Sequence, residues 1–129
     1  MATRTNLSIR VVLGLVGVTL VLNGIQWGFL PASNLDANSI SVGSALGMNM
    51  LKSDIGGPLI ATGTFALLAG IRGARWALPV AISAGAYLVV RIVSLAVDGY
   101  STLAAVGVGM EALVLGLAVL LWRGRGGEQ

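Results

Sequence analysis

The chain has 129 residues, 56% of them apolar and 10% charged, with a mean hydropathy of +0.90; an ordinary soluble domain is about 25% charged, so a water-soluble globule is excluded and an integral membrane protein indicated. The net charge of +3 comes from basic residues scattered at the ends of apolar runs, which makes no patch of the kind that binds nucleic acid. With no cysteine and no histidine, the chain lacks disulfides, thiolate and imidazole metal ligands, and the usual general base near neutral pH, so no metal or cofactor is expected.

Four spans, each near the length that a hydrocarbon core of about 30 Å demands, account for nearly all of residues 1–129 as one membrane domain. The first runs over about 7–30, interrupted by Arg10, Asn23 and Gln26 and closed by Pro31. No small-x-small cleavage site follows it, so a span is favoured over a signal peptide. Residues 31–53 form the one long connection. Its apolar positions Ile40, Val42, Leu46, Met50 and Leu51 recur loosely at helical spacing, which fits either a short interfacial helix or a partly ordered loop.

The second span is expected over about 54–71, opened by Ser53 as N-cap, with Asp54 at the positive end of the helix dipole and Pro58 in the first turn. The third covers about 76–97 and the fourth about 103–122, each joined to its predecessor by a tight turn. The expected fold is therefore all-α, a polytopic four-helix bundle. Arg4, Arg10, Arg72, Arg75, Arg123 and Arg125 fall at one set of ends and Asp36 and Asp98 at the other. By the positive-inside rule both termini are expected to face the cytoplasm. Small residues at four-residue spacing, such as Gly24 with Gly28, Ala77 with Ala81 and Gly85, and Ala112 with Gly116, allow close helix contact, within one bundle or between two copies. Trp27 and Tyr100 at the outer ends, with Trp76 and Trp122 at the inner ends, read as interface anchors.

Polar residues at one depth mark a candidate site. Counted from the turn near Gly99, Arg91 lies about 12 Å down its helix and Glu111 about 17 Å down the next, at roughly 1.5 Å per residue, so the two can meet. Across the other turn, Asp54 and Arg91 differ in depth by only about 3 Å. Asn23 and Gln26 fall in the same half of the first span. Asp98 stands seven residues beyond Arg91 on nearly the same face, and Tyr87 lies one turn below it.

A lone charge at a membrane centre costs roughly 2.5 to 3.5 kcal/mol, which argues for grouping these residues. Arginine can serve two carboxylates with its five donors, and the amides can satisfy remaining oxygens. Asp54 and Glu111 nevertheless supply two negatives against the one positive of Arg91. The sum predicts that Glu111, the deepest, is protonated in the empty protein or met by a cationic or hydroxyl-bearing ligand.

The stretches Lys52-Ser-Asp-Ile-Gly-Gly57 and Val90-Arg-Ile-Val-Ser-Leu-Ala-Val-Asp-Gly99, together with Glu111, carry a resemblance covering most of the chain. It resembles an uncharacterised bacterial family of four-span proteins, a domain of unknown function similar in size and span count to DoxX-like proteins. In that family a basic residue and paired glycines open the second span, an arginine and then Asp-Gly close the third, and a glutamate lies in the fourth. Lys52, Gly56, Gly57, Arg91, Asp98, Gly99 and Glu111 occupy those places, with Lys52 standing where arginine is more usual. The resemblance implies the four-span fold and a role for the polar layer, and no substrate.

Three classes of function remain open. The first is a membrane protein that binds a lipid-like or other hydrophobic small molecule, its head at the Arg91 layer. In the second, the chain is an accessory or assembly subunit bound to a membrane protein partner or to a second copy of itself. The third is a membrane enzyme using Glu111 or Asp54 as acid and base on a lipid-soluble substrate. A bundle cavity discriminates the first, because tight packing at Arg91 with every polar atom satisfied excludes it.

Overall fold

The computed structural model describes residues 2–97, Gly99 and 102–124. Six α-helices appear in the order α1 (Ala2–Phe29), α2 (Ala32–Ala37), α3 (Ala45–Leu51), α4 (Gly57–Arg72), α5 (Ala77–Val97) and α6 (Thr102–Gly124). A π-helical turn over Lys52–Gly56 joins α3 to α4, and a 3-10 turn over Ala74–Trp76 leads into α5. Four helical segments are long and apolar enough to cross a membrane, Asn6–Phe29, Ala45–Arg72, Ala74–Val97 and Ala104–Gly124. Large apolar side chains such as Leu7, Leu22 and Phe29 on α1, or Val89 and Val97 on α5, face outward. Such surfaces are stable only against hydrocarbon, so this is an all-α membrane protein built as a four-helix bundle.

The second span differs most from expectation. It begins at Ala45, not near Asp54, because Ser44 is the N-cap: its backbone is extended and its hydroxyl accepts from the Gly47 N–H at 3.0 Å. Ser53 lies inside the helix, with its hydroxyl oxygen 3.0 Å from the Met50 carbonyl oxygen. Pro58 therefore interrupts a longer helix rather than opening one. It has no N–H for the carbonyl four residues back and its ring crowds that carbonyl, and the π turn immediately before it absorbs the misfit. Of the apolar positions in the long connection, Leu46, Met50 and Leu51 are helical, whereas Ile40 and Val42 lie in the extended stretch between α2 and α3.

Two pairs of helices pack closely, α1 with α4 and α5 with α6. Glycine explains the first pair. Gly56, Gly63 and Gly70 recur every seven residues, so they line one stripe of the second span. A Cβ on Gly63 would stand 2.7 Å from the Val21 nitrogen and 2.8 Å from the Gly17 oxygen, and one on Gly56 would stand 2.8 Å from the Gly28 Cα. Backbone thus meets backbone along the whole length, the geometry that small residues permit between membrane helices. Ala112 and Gly116 lie on an exposed face of α6, away from that seam.

The α4–α5 turn and the α5–α6 turn each use a glycine at positive φ, Gly73 at 97° and Gly99 at 98°, where a Cβ would be strained. Arg10, read from the sequence as a topological charge, also closes α4: its Nε donates to the Gly70 carbonyl at 3.0 Å and its Nη2 to the Ile71 carbonyl at 2.7 Å. A cation there meets the negative end of the helix dipole and satisfies carbonyls that have no helical partner. Arg10→Ala is expected to cost about 1–2 kcal/mol, read as a lower thermal midpoint in detergent, whereas removing the charge of Arg123 in the same way leaves those carbonyls bonded and changes the midpoint little.

The fully buried side chains sit in one half of the bundle. Ile9 and Leu13 of α1, Ala66 and Ala69 of α4, Ala77, Val80, Ala81 and Ala84 of α5, and Val114, Ala118 and Leu121 of α6 form a single core near the termini. Above the level of Ala84 and Val114 the fold leaves a cavity between the helices.

Candidate functional site

The cavity has a volume of about 690 Å³ and is walled by α1, the π turn, α4, α5 and α6. Binding pockets for small molecules commonly span about 300–1,000 Å³. Its floor is the top of the core, with Thr62, Ala84 and Val114 belonging to both. Leu15, Leu20, Leu59 and Met110 give it apolar walls. Asn23, Asp54, Tyr87, Arg91 and Glu111 bring polar groups to it from all four spans.

Arg91 reaches across from α5 to α6. Its Nε donates to Glu111 Oε1 at 2.9 Å and its Nη2 lies 2.8 Å from the same oxygen. Glycine makes that crossing possible. Gly107 is one helical turn before Glu111, and a Cβ on it would stand 2.8 Å from the Arg91 Cζ and Nε, so the guanidinium occupies the space a side chain would fill. The pair is asymmetric in burial, with the Glu111 side chain 17% exposed and that of Arg91 39% exposed. Glu111 Oε2 is buried and has no hydrogen-bond partner among the described residues. Leaving such an acceptor unsatisfied costs about 1–3 kcal/mol, so the network is incomplete as it stands.

Asp54 lines the cavity from the π turn, and its Oδ1 accepts from the Ser53 hydroxyl at 3.1 Å. Arg91 therefore answers Glu111, not Asp54. This corrects the expectation that the carboxylate left over would be Glu111. Equal depth along two helices does not by itself bring their side chains together.

Tyr87 lies one helical turn from Arg91 and lines the cavity with Thr62, at the level where core gives way to cavity. Gln26 departs from the layer: three residues beyond Asn23, it points away from the cavity, and its Nε2 donates to the Ser33 hydroxyl of α2 at 3.2 Å. Asp98 lies outside the described residues.

Trp27, read from the sequence as an interface anchor, lines the cavity, as do Thr19 and Gly107. Their spacing carried the signal. Trp27 and Thr19 each lie four residues from Asn23, and Gly107 four residues from Glu111, so each shares a helix face with a predicted site residue. Trp76 is packed rather than free at an interface, stacked on Phe65 at 6.2 Å between ring centroids, with the Arg75 guanidinium 5.7 Å from its ring. Compared with protein-family models, curated proteins and solved structures, the chain matches none.

Proposed function

We propose that this chain is a multi-pass protein of a bacterial inner membrane that binds a lipid-like or other hydrophobic small molecule, its polar head at the Arg91 layer and its apolar part between the helices. The observation that carries the reading is the cavity of about 690 Å³, apolar on most of its walls and supplied with polar side chains from every span. A bundle that used its polar residues only as internal glue would close over them and satisfy them. Here Glu111 Oε2 lacks a partner among the described residues, and Asn23 and Asp54 stand exposed at the cavity.

Orientation follows from charge. The start of α1 lies beside the ends of α4 and α6, as the Arg10 bonds to Gly70 and Ile71 and the approach of Asn6 to Gly124 require. Arg10, Arg72, Arg75 and Arg123 gather at that end, which the positive-inside rule assigns to the cytoplasm. The cavity then opens in the outer half of the bilayer.

Native mass spectrometry of the gently extracted protein tests the reading. The wild type is expected to retain a small hydrophobic adduct, and Leu59→Trp, which fills the cavity and keeps every polar residue, is expected to lose it. An adduct held equally by both proteins, or a wild type that carries none while remaining folded, overturns the proposal.

A further inference from the structure

The charges lining the cavity do not cancel. Among the described lining residues, Arg91 supplies one positive charge, and Asp54 and Glu111 are carboxylates. Arg91 and Glu111 answer each other at 2.8 Å, with both guanidinium contacts on one oxygen. Asp54 is left with a neutral partner, the Ser53 hydroxyl. Lys52, the basic residue nearest to it in sequence, neither lines the cavity nor pairs with it among the described residues. A carboxylate without a counter-ion beside an apolar, low-dielectric space attracts a cation into that space and repels an anion.

Two further observations point the same way. The Trp27 indole lines this cavity, and an aromatic face attracts an ammonium group, most strongly when the ammonium is desolvated. Asn23, one turn from Trp27 and also at the cavity, offers a carbonyl oxygen as acceptor. The remaining walls, from Leu20 and Leu59 down to the buried Val114, are apolar and suit hydrocarbon.

We infer that the occupant is a cationic amphiphile: a hydrocarbon body bearing one protonated amine, the ammonium paired with Asp54 and the hydrocarbon against Leu20, Leu59 and Met110. This rests on the reading of the cavity as a site for a hydrophobic small molecule and names the charge of its head. A carboxylate-headed amphiphile is disfavoured because it meets Asp54 and because the single positive charge of Arg91 is already answered by Glu111, so a third carboxylate would raise the negative excess of the cavity. The ammonium can belong to a free lipophilic amine or to the ethanolamine head of a membrane lipid, and the experiment separates the two.

The full chain carrying Trp76→Phe and Trp122→Phe, so that Trp27 is the reporting indole, is placed in phosphatidylcholine nanodiscs. It is titrated with dodecylammonium, dodecanol and dodecanoate, with partition into empty discs measured in parallel. Dodecylammonium is expected to change Trp27 emission saturably at a concentration at least tenfold below that of dodecanol, with dodecanoate weakest. Asp54→Asn, which leaves the Arg91–Glu111 pair in place, is expected to bring dodecylammonium to the dodecanol value. Adding phosphatidylethanolamine to the discs displaces dodecylammonium if the natural head is a lipid's, and leaves it bound if the natural ligand is a free amine.

Equal saturable binding of all three amphiphiles overturns the cationic assignment and leaves the cavity reading standing. The same holds if the preference for the amine survives in Asp54→Asn. No saturable change with any of the three overturns both.

Discussion

Gly63→Ala is expected to destabilise the bundle by about 1–3 kcal/mol or more, because the added carbon enters the space of the Val21 nitrogen and the Gly17 oxygen at 2.7 and 2.8 Å. Those neighbours are backbone atoms, so no rotamer change relieves the overlap, and α1 and α4 have to move apart. Gly17→Ala meets the other side of the same contact, with the Leu67 nitrogen at 2.5 Å, and the double variant is expected to be less destabilised than the sum of the two. Gly116→Ala is the control, since nothing lies within 4 Å of its new carbon. Thermal unfolding of the four variants in one detergent checks the order. A Gly63→Ala protein as stable as Gly116→Ala would show that α1 and α4 do not meet backbone to backbone.

The second large effect concerns the ion pair. Arg91→Leu strands the Glu111 carboxylate, of which only 17% is exposed, and is expected to cost about 3 kcal/mol. That is the low end for breaking a buried pair, because the Arg91 side chain is 39% exposed and its charge is partly solvated. Arg91→Leu with Glu111→Leu removes both charges and restores most of the loss, since two apolar residues carry no desolvation penalty in this setting. The double-mutant cycle is expected to give a coupling of about 1–3 kcal/mol. Additive single effects would mean that the two side chains act independently.

Much of this protein is readable in one dimension. Apolar runs of about 20 residues have a single stable solution in a membrane, a hydrogen-bonded helix, so the four spans follow from composition and length, as do the approximate ends of all but the second. Arg91 and Glu111 were also legible, because two antiparallel helices joined by a short turn keep residues at equal distances from the turn level with each other. The second span was misplaced for a local reason: Ser53-Asp54 and Pro58 have the composition of a helix start, and only the stronger cap at Ser44 and the π turn turn that segment into a helix interior.

The seam of Gly56, Gly63 and Gly70 was present in the sequence as a seven-residue repeat, yet its partner was not, since the repeat names a face without naming the helix against it. Trp27 shows the same limit. Its position at a span end is equally consistent with a lipid interface and with a cavity wall, and the rotation of α1 against α4 chooses between them.

What the sequence by itself determined is everything that depends on distance along the chain: the helices, their depths, the turns at Gly73 and Gly99, and the meeting of Arg91 with Glu111. What only the tertiary structure decided is everything that depends on lateral separation. Close glycine packing binds α1 to α4 along their full length, whereas the core holds the two helix pairs together only near the termini. Above it lies the cavity, which Asp54 and Arg91 both line, while Arg91 pairs with Glu111. Helical rise sets depth residue by residue, and it carries no information about how far apart two helices stand at that depth.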